Sequence, residues 1–235
     1  MRVRELHPWD LGPQEAMRLQ AELSRKVVLS GGPAQVRYVA GADLAFLGSS
    51  RVGGTARAAV VLLSCPELEP VAQVVEEAPV TFPYIPGLLA FREAPALARA
   101  FARLEPPPDL VLVDGHGLSH PRRFGIACHL GLLLEVPTIG CAKSRLVGQH
   151  GPVPEEAGAW TELHDGGEVI GLVVRTKAGA QPVYVSPGHL IGLEEAARWT
   201  LALCRGHRLP EPTRLADLLS KGRLPPAAGQ QPRLL

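Results

Sequence analysis

The segment Val111-Leu112-Val113-Asp114-Gly115-His116-Gly117 reads as a short apolar strand that ends on a carboxylate, followed by glycines that let the backbone turn sharply. In open α/β sheets the ligand crevice lies just beyond the carboxyl ends of such strands, which places Asp114 there. An Asp that merely caps a strand-to-helix turn is the plainer alternative. Asp43 is a second carboxylate, set in the strand-like run 38–46. Burying it is costly unless a partner neutralises it. Gly41 and Ala45 on the same face leave room for an ion or phosphate, with a salt bridge in the core as the alternative. Glu93 is the third, just before a break at Pro95, where complementing a helix N-terminus would also account for it. Three convergent carboxylates without His or Cys partners suit hard, oxygen-seeking ions such as Mg²⁺ or Mn²⁺. Such ions activate water and stabilise the leaving oxygen in phosphodiester hydrolysis.

Basic side chains follow the Asp114 turn: His116, His120, Arg122 and Arg123, then Lys143 and Arg145. Lys143 ends the next strand and should share the crevice, where it would neutralise a scissile phosphate or its leaving oxygen. Arg122 and Arg123 fall at a helix start, an unfavourable place for cations. Contact with phosphate therefore explains them better than a solvated helix end, and His207, Arg208 and Arg214 would extend the surface. In Phe82-Pro83-Tyr84-Ile85-Pro86-Gly87 two prolines stiffen a loop that presents Tyr84 and Ile85. An exposed aromatic on a rigid loop can wedge into a base stack and help extrude a nucleotide, although a turn packed on the core would use the same residues.

Hydrophobic periodicity supplies the elements that would position these groups. Residues 13–30 read as a helix ended by Gly31-Gly32-Pro33. Strands are expected at 38–46, 58–63 and 71–77, joined by short turns as an antiparallel meander. After residue 80 the pattern becomes helix 95–104, strand 110–113, helix 124–134 and strand 136–142. A hairpin of 169–174 with 183–186 and a helix over 193–204 complete the expected fold. Three antiparallel strands followed by helix–strand–helix–strand predict an α/β, ribonuclease H-like mixed central sheet flanked by helices. Residues 1–223 are expected to form a single domain, with 224–235, rich in Pro, Gly and Gln, as a flexible tail.

Composition narrows the class without naming a function. The chain has 235 residues, 46% of them hydrophobic, enough for a sizeable core. Its net charge of +1 means that any nucleic-acid surface must be local. No apolar run is long enough for a membrane span and no signal-peptide pattern opens the chain, so a cytoplasmic location is expected. A monomer is the expected state. Cys65, Cys128, Cys141 and Cys204 form no CxxC pair, which argues against zinc or thiol chemistry. A serine hydrolase built on Ser119 and His120 lacks the G-x-S-x-G elbow.

The ordered set of short motifs resembles endonuclease V, the deoxyinosine 3′-endonuclease family. The motifs are Gly41-Ala42-Asp43, Pro83-Tyr84-Ile85-Pro86-Gly87, Phe91-Arg92-Glu93, Val113-Asp114-Gly115-His116-Gly117 and His120-Pro121-Arg122-Arg123. Pro137-Thr138-Ile139-Gly140, Ala142-Lys143 and Leu209-Pro210-Glu211-Pro212-Thr213-Arg214 complete the set. The resemblance implies a ribonuclease H-like nuclease whose Asp43, Glu93 and Asp114 hold Mg²⁺ (Mn²⁺ substituting), with Lys143 and His120 near the scissile phosphate. It implies that Pro83, Tyr84, Ile85 and Pro86 form a wedge, and that Gly87, Leu88, Leu89, Gly115 and Ile126 surround a flipped hypoxanthine. Arg122, Arg123 and Arg145 would contact phosphates. Family members cut the second phosphodiester bond 3′ to the lesion, leaving 3′-hydroxyl and 5′-phosphate ends. A main-chain pocket suits this lesion, because deamination exchanges an amine for a carbonyl oxygen that backbone N–H groups can select. The implied partner is DNA containing deoxyinosine, single- or double-stranded. Inosine-containing RNA and a non-catalytic inosine-binding module are the alternatives. Asp217 stands where some relatives carry His, and is not counted among the catalytic residues.

Overall fold

The computed structural model describes residues 1–224. One eight-stranded mixed sheet organises them: β1 (Tyr38–Leu47), β2 (Thr55–Ser64), β3 (Pro70–Pro79), β4 (Leu110–Val113), β5 (Thr138–Ala142), β6 (Trp160–Asp165), β7 (Glu168–Val174) and β8 (Val183–His189), in the order β3-β2-β1-β4-β5-β8-β7-β6. The first three strands form the expected antiparallel meander, and β4 and β5 add to β1 in parallel. β8 then pairs antiparallel with β5 and with β7, as the expected hairpin requires. The central strands are apolar on both faces because both faces are covered. On one side Val39, Val61, Leu110, Leu112 and Ile139 pack against α4 (Leu193–Ala202) and α5 (Glu211–Ser220). On the other, Ala40, Val60, Val111 and Val113 pack against α2 (Leu89–Ala102) and α3 (Ile126–Leu134).

Four elements depart from their sequence expectations. Helix α1 spans Pro13–Leu23 and gives way to a 3₁₀ turn, Ser24–Lys26, well short of residue 30. Beyond it the chain is extended, and the Val28 N–H donates to His189 Nδ1 at 3.2 Å. Helix α2 begins at Leu89, not at Pro95, and contains that proline. An interior proline costs about 3 kcal/mol, but the added turn buries Ala90, Phe91 and Ala94. Strand β6 was not anticipated, because this sheet edge exposes Trp160, Glu162 and His164 and buries only Leu163. Helix α5 was hidden by Pro210 and Pro212 at its start, where proline is tolerated. Its Leu215, Ala216 and Leu219 pack on the sheet. Leu224, the first residue of the expected tail, also packs there, and the rest of the tail lies outside the described residues. Among the described residues no helix is long and apolar enough to cross a membrane.

Candidate active site

Parallel pairing of β1 with β4 puts Ala42 opposite Val113, so Asp43 and Asp114 are the next residues along two adjacent strand ends. The Asp114 N–H donates to the Ala42 carbonyl at 3.0 Å, which fixes that juxtaposition. Helix α5 brings a third carboxylate across them: oxygens of Asp43, Asp114 and Asp217 lie within 4.8 Å of one another. The space beside Gly41 is filled by this helix, not by an ion as the sequence suggested. A Cβ on Gly41 would stand 1.9 Å from the Pro212 carbonyl oxygen. Further along α5, the Ser220 hydroxyl donates to Asp43 Oδ2 at 2.5 Å. Glu93 comes from α2, inside the helix and not before it, and is buried close enough to Asp43 and Asp114 to feel both charges.

Asp43 and Glu93 are poorly neutralised by protein alone. Burial, then repulsion from Asp114, pushes Asp43 up to about 7, with the Ser220 hydroxyl opposing. Burial, then Asp43 and Asp114, pushes Glu93 up to about 8. The nearest counter-charge is Lys143, just beyond β5, whose Nζ touches Asp114 Oδ2 and lies 2.5 Å from Asp217 Oδ1. Burial alone would lower the Lys143 pKa, but those two carboxylates more than offset it and hold the ammonium charged. Asp217 is drawn below its ordinary value by Lys143 and Lys221 against the effect of burial. A partly buried cluster of hard oxygen donors from Asp43, Asp114 and Asp217 fits a divalent cation.

A cavity of about 240 Å³ opens next to this cluster. Its wall includes Ser144 and Arg145, which directly follow Lys143, and His116, which lies two residues after Asp114. Tyr84, Ile85, Pro86, Gly87, Leu89 and Ile126 line it too. Leu88 does not, because its side chain is buried with Phe82 and Phe91, while Gly115 backs onto Ile126. The N–H groups of Leu89 and Ala90, in the first turn of α2, find no acceptor among the described residues, and both residues face the cavity. A helix N-terminus with free donors attracts an electronegative oxygen. The loop before it is anchored: Phe82 is buried, and the Arg92 guanidinium lies 4.2 Å over the Phe46 ring and donates to the Phe82 carbonyl at 3.2 Å. Tyr84 at its tip is 70% exposed.

The basic residues divide into two groups. Lys143 and the exposed Arg145 stand at the cluster and the cavity. Arg123 donates to Asp165 Oδ2 at 2.8 Å and Glu168 Oε2 at 2.9 Å, which ties it to the β6–β7 hairpin. Arg122 turns inward, with Nη2 on the Gly87 carbonyl at 2.6 Å and Nε on Gln20 Oε1 at 2.6 Å. His120 donates from Nε2 to the same carbonyl at 2.9 Å and accepts the Arg122 N–H on Nδ1 at 3.2 Å, which specifies a neutral ring. Burial agrees, lowering both His116 and His120 to about 4. Arg208 binds the carbonyls of Lys143, Gln181 and Pro182, and Arg214 pairs with Glu211 at 2.8 Å. Ser220 is the site residue that sequence reasoning missed, and Asp217 was singled out there but left uncounted among the catalytic residues. The signal available was the four-residue spacing of Leu215 and Leu219, which makes the segment a helix with Asp217 and Ser220 three apart.

Comparison with known proteins agrees with this geometry. The family model described as Endonuclease V matches residues 21–218. An Endonuclease V of Gloeobacter violaceus is 52% identical, the alignment covering 94% of this chain and 91% of the relative. The crystal structure of the Bacillus subtilis Endonuclease V superposes with a TM-score of 0.89 at 32% identity, over 94% of this chain and 96% of that one. The Ciona intestinalis Endonuclease V, solved in complex with a 23mer DNA containing an inosine followed by a ribo-adenosine, gives 0.80 at 28% identity over 90% and 98% of the two chains. The fold is ribonuclease H-like. With sheet order, carboxylate placement and sequence all in agreement over nearly the whole length, the chain belongs to the endonuclease V family.

Proposed function

We propose that this protein is a DNA repair endonuclease that acts in the cytoplasm on strands containing deoxyinosine. It hydrolyses the second phosphodiester bond 3′ to the lesion and leaves 3′-hydroxyl and 5′-phosphate ends. The observation that carries this reading is the adjacency of two features. A cavity of base-recognising size, about 240 Å³ with free N–H donors in its wall, adjoins a carboxylate cluster in need of a cation. Its volume lies near the lower end for ligand pockets and suits one flat base. Hypoxanthine offers a carbonyl oxygen where adenine offers an amine, so the free N–H groups of Leu89 and Ala90 favour the deaminated base. Leaving one such buried donor unpaired costs about 1–3 kcal/mol, one to two powers of ten in selectivity.

In this reading Asp43, Asp114 and Asp217 hold the cation, Mg²⁺ with Mn²⁺ able to replace it, and Glu93 adds negative charge from α2. When bound, the ion supplies Lewis acidity for attack of water on the phosphodiester. Lys143 stands where its ammonium neutralises charge on the phosphate or the leaving oxygen, and Arg145 at the cavity rim holds a neighbouring phosphate. The rigid segment Pro83 to Pro86 inserts Tyr84 into the gap left by the extruded base. The Ciona complex with inosine-containing DNA supports this substrate class.

The test uses matched, end-labelled DNA and RNA strands with one inosine, incubated with Mg²⁺ or with chelator. Expected is a Mg²⁺-dependent cut in DNA one linkage beyond the inosine's own 3′ phosphate. A cut confined to RNA would reassign the substrate. Inosine-selective binding without cleavage would make the protein a binder and sink the nuclease reading.

A further inference from the structure

The peptide unit joining Gly87 to Leu88 lies between the Tyr84 loop and the first turn of α2, and it is held at both ends. Its N–H donates to the Ile85 carbonyl at 2.9 Å. Its carbonyl accepts from His120 Nε2 at 2.9 Å and from Arg122 Nη2 at 2.6 Å, which occupies both lone pairs. Arg122 is oriented in turn by Gln20, from α1, which is fully buried. Gln20 can face only one way: Oε1 must meet the guanidinium, which has no acceptor, and its amide donates to the Phe124 carbonyl at 3.2 Å. Gly87 is required at this point, since φ is +78° and a Cβ would stand 2.8 Å from Arg122 Nη2.

We propose that Gln20, Arg122 and His120 form a clamp on the Gly87 carbonyl that sets base selectivity, with Gln20 and Arg122 acting as positioning residues. The clamp fixes the peptide plane from which the free N–H groups of Leu89 and Ala90 follow, so those donors meet a carbonyl oxygen at a defined point. It also prevents the Gly87 carbonyl from turning to accept an exocyclic amine. Helix α1, remote in sequence from every carboxylate of the site, thereby takes part in substrate choice. Arg122 in this role spends its donors inside the protein and not on phosphate.

The inference rests on hypoxanthine occupying the cavity, and the experiment separates the two. Cleavage of, and chelator-stabilised binding to, strands carrying one inosine or one adenosine at the same position are measured for the unsubstituted protein, Gln20→Met and Arg122→Lys. Arg122→Lys keeps the charge but loses the two-point contact, and thermal melting verifies that each variant is folded. The expected result is a fall of about tenfold in the inosine-to-adenosine ratio in both variants. The salt dependence of binding to undamaged strands stays unchanged. A ratio that survives both substitutions overturns the clamp alone. A uniform loss on both strands in the Arg122 variant, with the inosine-to-adenosine ratio kept, overturns it in favour of a phosphate contact. Absence of any inosine preference in the unsubstituted protein overturns the cavity reading itself.

Discussion

Lys143 is bound to the same carboxylates that a metal ion would use. Its Nζ bridges Asp114 and Asp217, so a cation arriving at the cluster meets a resident positive charge. Two consequences follow at this scale. Lys143→Met should bind a divalent cation more tightly, by at least about tenfold, because removing a unit charge a few ångströms away is worth more than about 1.4 kcal/mol at intermediate dielectric. The same variant should lose about 10²- to 10³-fold in kcat, the usual cost of removing a group aimed at developing charge. Calorimetric Mn²⁺ titration beside single-turnover cleavage would read both; weaker metal binding in the variant would contradict this account of Lys143. The residues Asp43, Asp114 and Lys143 were legible in the sequence because each sits at a strand end or inside a strand, where side-chain direction follows from local periodicity. Asp217 was not, because its place in the cluster depends on how α5 crosses β1.

Helix α5 and the Tyr84 loop are the elements that complete the site. The first turn of α5 lies on Gly41 with no room for a methyl group. Gly41→Ala should therefore displace the helix that supplies Asp217 and Ser220. Overpacking of this kind costs about 1–3 kcal/mol, and the displacement should weaken metal binding as well. Denaturant unfolding and metal titration of the variant check the two effects; normal metal affinity would show that α5 tolerates the shift. The Tyr84 loop is held at its base by Arg92 and Phe82, with an exposed ring at its tip. Stacking of a base on an aromatic is worth about 1–3 kcal/mol, so Tyr84→Ala should slow cleavage of inosine in a duplex by roughly ten- to a hundredfold. Single strands, which need no base stack opened, should suffer less. Equal losses on both substrates would remove the wedge role.

For the whole molecule, the site concentrates buried carboxylates that repel one another. Asp43 and Glu93 are raised to about 7 and about 8 from ordinary values of 3.8 and 4.5, so between these limits the folded protein holds protons that the unfolded chain releases. Stability of the metal-free protein should then fall as pH rises across that window. Cation affinity should rise over the same range, since the ligands must be deprotonated. Thermal melts with chelator at about pH 5 and about pH 8 test the sign, and Asp43→Asn should flatten the slope. A melting temperature that rises with pH would mean that the cluster is already compensated.

The sequence by itself determined every strand of the described sheet except β6, the strand-end carboxylates, the Pro-Tyr-Ile-Pro loop and the family resemblance. All of these rest on local periodicity, turn chemistry or motif order. Tertiary structure alone decided that α2 starts before Pro95, because only packing shows that Ala94 is buried on the sheet and Phe91 against Phe82 and α1. It decided that Arg123 serves a hairpin and Arg122 a carbonyl, because their partners lie 42 and 35 residues away in the chain. It likewise brought Asp217 to Asp43, a contact between the first strand and the last helix that no local pattern encodes. Local sequence sets which way a side chain leaves its own element; which other element it then meets is set by the burial of apolar faces far apart in the chain.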